Sequence, residues 1–208
     1  DVGSNAKKRR NMKHTTIQFI FFFLLSSLTF GQTKKDLNIE FMLRGNIYAQ
    51  SSIEDSTALG GFGDSENLPK ITNTENNFSE RGLFLKIDTT KSALINDKFN
   101  GYKFYIVNKS DTITKLDASD SRLYVIAEVF YKNEWKPIEY LPSSSCGNSY
   151  HEVYLKQNEY WEFIVPKFSG KIKTKLRYRL MIGEQKYIYS NEILTSINKN
   201  QLKQKQGH

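Results

Sequence analysis

The sequence predicts an all-β protein built as an antiparallel β-sandwich. Three observations carry this. Short runs in which apolar and polar residues alternate recur from residue 83 almost to the end. Gly, Asn, Asp and Ser punctuate them, and outside the N-terminal segment no helical period persists. A closed barrel is the alternative arrangement. At 208 residues, 38% hydrophobic and 25% charged, the chain suits one domain and excludes collagen, coiled coil, a polytopic membrane protein and a mostly disordered chain.

Lys7, Lys8, Arg9, Arg10 and Lys13 precede the apolar run Ile17–Phe30, which ends at Gly31 and Gln32. A basic stretch, a short apolar core and a small exit residue predict a secretory signal peptide over 1–31, cleaved between Gly31 and Gln32. An uncleaved signal anchor is the alternative, although the run is short of the ~20 residues a span needs. Met12 suits a start position, so residues 1–11 are set aside from the fold. No cysteine follows the apolar core, so no lipid anchor is expected there. Cleavage leaves 25 basic against 21 acidic side chains, a net of +4. Half of the apparent basicity is therefore a targeting device. Nucleic acid is not an expected partner, and no stable membrane span is expected after cleavage.

Residues 32–48 predict an N-terminal strand, with Leu37, Ile39, Phe41 and Leu43 on one face and Asn38, Glu40 and Met42 on the other. Residues 49–82 keep no period and hold six acids against two bases. They read as an acidic, flexible loop: a linker, a disordered excursion or a functional loop. The sandwich itself spans 83–198. Leu83–Ile87 alternates, and Tyr102–Val107 puts Tyr102, Phe104 and Ile106 on one face. Arg122–Tyr131 is apolar on both faces and so central. Trp135–Leu141 follows. His151–Leu155 and Tyr160–Pro166 flank a short polar turn and read as a hairpin. Lys173–Ile182 turns Leu176, Tyr178, Leu180 and Ile182 inward, and makes a second hairpin with Lys186–Ile193. Residues 199–208 form a polar, frayed tail.

The stretch LKQNEYWEF (155–163) resembles the turn and aromatic entry to the sixth strand of immunoglobulin-like and fibronectin type III domains. YSNEI (189–193) resembles their last strand, and FYIVNKSDTITKL (104–116) the early strands of bacterial extracellular sandwich domains. The resemblance implies an immunoglobulin-like sandwich and no particular function. Two departures stand out: Trp161 takes the place usual for the tyrosine-corner Tyr, and the antibody-type Cys–Trp–Cys core is absent.

Five places could carry function. In PSSSCGNSYH (142–151), Cys146 could be a nucleophile with His151 as its base, oriented by Asn148 or Ser149. Alternatively Cys146 is a free loop thiol, or cross-links two chains, and His151 is merely packed. Lys171, Lys173, Lys175, Arg177 and Arg179 fall at every second residue, which in a strand puts five cations on one face. That face could bind an anionic partner or simply be solvated and guard an edge. Asp64, Asp117 and Asp120 sit in turns with too few consecutive oxygen ligands for calcium. Glu128, an acid in an otherwise apolar strand, is the one candidate for a glycosidase-type carboxylate, although nothing singles out its pair, and a strand-edge position or an ion pair explains it more simply. Trp135, Tyr140, Tyr150 and Tyr154 could stack on sugars or fill the core. Separately, Asp55-Ser56-Thr57, Asp88-Thr89-Thr90 and Asp111-Thr112-Ile113 resemble the short O-glycosylation site of some bacterial envelope proteins.

Together these predict a secreted or periplasmic module that binds an envelope protein or an anionic polysaccharide without catalysis, cofactor or metal. A carbohydrate-binding accessory protein and a cysteine-dependent enzyme are the alternatives.

Overall fold

The computed structural model describes residues 34–203, apart from 75 and 77. The expected signal peptide at 1–31, its cleavage site before Gln32, and the end of the polar tail lie outside the described residues. Among those described there are strands and two 3-10 turns but no α-helix, and none is long and apolar enough to cross a membrane.

A four-stranded sheet runs in the order β2 (Lys70–Ile71), β11 (Glu159–Pro166), β4 (Phe99–Lys109), β3 (Gly82–Ile95). A five-stranded sheet runs β13 (Lys186–Tyr189), β12 (Ile172–Gly183), β7 (Val125–Tyr131), β8 (Glu134–Pro137), with β14 (Ile193–Ile197) also paired to β12. A third sheet is β10 (Tyr150–Leu155), β5 (Thr114–Ser119), β6 (Arg122–Leu123). All pairings within these three sheets are antiparallel. β1 (Leu43–Arg44) and β9 (Glu139–Tyr140) form a small parallel pair.

The arrangement is sandwich-like, because inward residues of all three larger sheets share one core. Phe104, Ile106 and Phe163 meet Val129, Leu176, Tyr178 and Leu180, joined by Leu116, Val153 and Leu155. The rings of Phe104 on β4 and Tyr178 on β12 lie 4.7 Å apart. Burying each such side chain contributes about 2 kcal/mol before the entropy of ordering is counted. β12 shows the logic most plainly: Leu176, Tyr178 and Leu180 are buried, so the cations between them face outward.

Several expectations are corrected. The segments 151–155 and 160–166 are not a hairpin: β10 pairs with β5, and β11 with β4 and β2. The polar turn between them instead crosses between sheets. Asn108 stitches this crossing, its side-chain amide donating to the Leu155 carbonyl while its own carbonyl accepts from Asn158 N–H. The N-terminal stretch is regular only at β1, with single bridges at Lys35, Leu37 and Tyr48. A bend at residues 40–41 breaks the alternation, so Met42 is buried and Phe41 exposed. Ile182 turns outward because the β12–β13 register shifts between Met181 and Gly183. β4 is buried on both faces: Tyr105 and Val107 pack with Phe78 and Tyr160 in a second cluster. At the other end, Lys199–Leu202 forms a 3-10 turn closed by reciprocal Asn198 and Gln201 bonds, with Gln201 buried.

The described residues of 49–82 lie along this body. Ala49 and Phe78 are buried. The fully buried Trp161 donates from Nε1 to the Gln50 carbonyl at 2.8 Å. β2 adds an edge strand to β11. Phe62 stacks on His151 with ring centroids 3.7 Å apart. Sparse apolar residues in a polar segment thus act one at a time, each in its own socket, which leaves no period to read.

Candidate functional site

The outward face of the five-stranded sheet is where charged and exposed apolar side chains concentrate. Its rows follow from the register. Lys173 lies beside Ser196 and Lys175 beside Leu194 on β14. Arg177 lies beside Glu128 on β7, and Phe130 beside Trp135 on β8. Arg179 lies beside Tyr189, and Met181 beside Tyr187, on β13. Leu194 is 84% exposed, Tyr189 44% and Phe130 41%.

Glu128 is the pivot. Its side chain is 3% exposed, yet it carries two ion pairs. Arg177 donates from Nε and Nη2 to Oε2 at 3.2 and 3.1 Å, and Arg179 Nη1 lies 2.8 Å from Oε1. A carboxylate buried this deeply needs charged donors on its oxygens. The guanidiniums are pinned by rings as well. Arg177 is sandwiched between Trp135, 4.0 Å from the ring centroid, and Tyr189, at 3.9 Å. Arg179 lies 4.6 Å from the Tyr187 centroid. Two cations share one anion, so the cluster keeps an excess positive charge. Arg179 retains donors that Glu128 does not use.

The rest of the ladder differs. Lys171, Lys173 and Lys175 are exposed. Lys175 Nζ pairs with Glu192 at 2.9 Å. Among the described residues Lys173 has no carboxylate partner. The five expected cations therefore form two groups: two arginines locked into the sheet and three lysines in solvent. Sequence parity located the face but gave no sign of the ring partners. The ion pair expected as one explanation of Glu128 is present, but that it joins two arginines of the neighbouring strand was not legible.

Beside Lys173 and Lys175 opens a cleft of about 600 Å³, lined also by Phe130, Phe168, Leu194 and Lys167. Lys167 pairs with Asp36 across its rim at 3.4 Å. A second cleft of about 430 Å³ is lined by Asp55, Asp117, Tyr124, Tyr150, His151 and Glu152. It is acidic. The Thr57 side chain holds the Asp55 carboxyl below its usual range. The Gly63 N–H does the same for Asp120, which receives it at 2.9 Å. Among the described residues no three His, Cys, Asp or Glu side chains are grouped to hold a metal ion.

His151 is buried under Phe62. Its Nε2 faces Ser121 Oγ at 3.4 Å and its Nδ1 the Ser149 carbonyl at 3.3 Å. Cys146 is exposed, its backbone N–H bonded to Ser144 Oγ. Neither ring nitrogen is bonded to the thiol. Tyr140, Tyr150 and Tyr154 lie on β9 and β10, outside the sheet that carries Trp135. No family model matches the chain, and no curated protein or solved structure matches it significantly.

Proposed function

We propose that this chain is an exported, immunoglobulin-like β-sandwich of the cell envelope that acts as a non-catalytic interaction module. Its docking surface is the outward face of the five-stranded sheet, and its partner is an acidic protein segment. One observation carries the choice of partner: the Arg177 guanidinium inserted between Trp135 and Tyr189, with Arg179 on Tyr187. Aromatic and arginine side chains with exposed aliphatic neighbours make a surface suited to protein contacts. Sugar stacking needs open ring faces, and here the guanidiniums already cover one face of each ring. The two-to-one ratio of guanidiniums to carboxylate calls for an incoming anion. For the enzyme reading, the geometry supplies no thiol–imidazole contact.

The test uses the full chain and three probes of similar length: an acidic synthetic peptide containing Phe and Leu, its neutral Gln/Asn counterpart, and a polyuronate oligosaccharide. The acidic peptide binds, weakens about tenfold or more between 50 and 300 mM salt as screening predicts, and is weakened in Arg179→Gln, which leaves Arg177 on Glu128, with thermal melting of the variant separating lost binding from lost folding. Capture of the polyuronate in preference to the peptide supports the carbohydrate reading instead. Equal binding of the acidic and neutral peptides contradicts the electrostatic basis. Export is checked by N-terminal sequencing of the chain recovered from its host. Gln32 is the expected first residue, and an intact 1–31 segment argues for an anchor.

A further inference from the structure

We propose that the cleft at the end of β12 is an anchor pocket that takes one apolar side chain of the partner together with a carboxylate next to it, that is, an aromatic or leucine residue flanked by Asp or Glu. This rests on the interaction-module reading above and specifies where and how the acidic segment is gripped.

The cleft holds about 600 Å³, room for a large side chain. Phe130, Phe168 and Leu194 supply its apolar wall. Leu194 is 84% exposed, more than any other large apolar side chain among the described residues. An aliphatic group left so open beside a cavity gains most when an apolar group covers it. The rim is cationic, with Lys167, Lys173 and Lys175 on it. Two of these amines are answered within the chain, Lys167 by Asp36 and Lys175 by Glu192. Among the described residues Lys173 is not, and it stands beside Ser196 on β14 at the mouth of the cleft. An apolar wall with one unanswered cation at its edge complements an apolar side chain with an adjacent carboxylate. A purely apolar ligand leaves Lys173 unused, and a purely ionic one leaves Leu194 and Phe130 wet.

Two acidic peptides test this on the full chain, alike except for a central Glu-Phe in one and Glu-Ala in the other. Affinity is read by titration and location by backbone amide shifts. The Glu-Phe peptide binds at least tenfold more tightly, and its shifts centre on Lys173, Thr195 and Ser196. Lys173→Glu weakens it at least tenfold, while Lys173→Gln has a smaller effect in the same direction. Thermal melting of both variants separates lost binding from lost folding. If both peptides bind equally and the shifts fall on Arg179, Tyr187 and Tyr189 instead, the anchor pocket is refuted while the interaction face stands. If neither peptide binds at any salt concentration, both readings fall.

Discussion

Glu128 and Glu139 are both buried carboxylates, but their surroundings give them opposite consequences. Glu128 is flanked by two guanidiniums. Removing it leaves both beside each other with no anion, so Glu128→Ala destabilises the fold by about 3–5 kcal/mol. The cost falls at the low end because the Arg177 and Arg179 side chains remain 18% and 30% exposed. Replacing the whole triad with Glu128→Leu, Arg177→Met and Arg179→Leu recovers most of that loss and abolishes binding. Chemical denaturation reads the first effect and peptide titration the second. If Glu128→Ala melts like the parent, the bridge is ornamental. Glu139, by contrast, accepts an N–H from Ala127 at 2.9 Å, and among the described residues no cation offsets its burial. Burial pushes its carboxyl up to about 7. In the unfolded chain it ionises near 4.5. Below that pH both states are protonated and the group is neutral to stability. Between 4.5 and 7 the unfolded chain loses its proton first, so stability falls as pH rises. About 3 kcal/mol is lost by pH 8. Glu139→Gln keeps an acceptor for Ala127 N–H and flattens this slope, and is the more stable form at pH 8. Melting curves at pH 4, 6 and 8 decide it, and parallel curves for both proteins contradict it.

At the scale of elements, parity in β12 was legible because leucine and tyrosine alternate there with lysine and arginine over most of the strand. The same logic failed for 151–155 and 160–166. Two adjacent strands joined by a tight polar turn look alike whether they pair or part to separate sheets. What separates them is their distant partners, β5 for one and β4 for the other, with Asn108, some fifty residues away in sequence, bonding its side chain to the Leu155 carbonyl at the crossing. No local pattern reports such a contact. Glycine offers another case. A Cβ on Gly170 would lie 2.1 Å from the Ile197 carbonyl carbon and 2.4 Å from its oxygen. Both are main-chain atoms, so no rotamer relieves the clash. Gly170→Ala must part the entry of β12 from the end of β14, costing about 1–3 kcal/mol or more. Since this is the edge of the proposed anchor pocket, the substitution also weakens the Glu-Phe peptide more than the Glu-Ala peptide. Unchanged stability would show that the two segments are not tightly apposed.

For the whole molecule, the all-β class follows from periodicity and turn chemistry alone, and the core follows from the inward sets. The interaction face was legible only as a row of cations. The rings that clamp Arg177 come from β8 and β13, more than fifty residues apart, so composition along β12 could not announce them. The acidic stretch 49–82 hid its role for a related reason. Its contacts are single residues, among them Gln50 against Trp161, Asp55 against the Glu152 N–H and Phe62 on His151. Charge is divided unevenly along the sequence. Residues 83–208 carry a net +7, and the stretch 49–82 a net −4. Neutralising the exposed lysines of the basic face, Lys171 and Lys173, should therefore alter association more than folding, whereas neutralising Arg177 and Arg179 also strands the buried Glu128 carboxylate. The most direct measurement maps the amides of the full chain that respond to the acidic peptide at low salt. The account predicts a continuous footprint over Lys173, Lys175, Arg177, Arg179, Tyr187, Tyr189 and Leu194, fading as salt rises. A footprint centred on the acidic cleft around Asp55, Asp117 and Glu152 would contradict it.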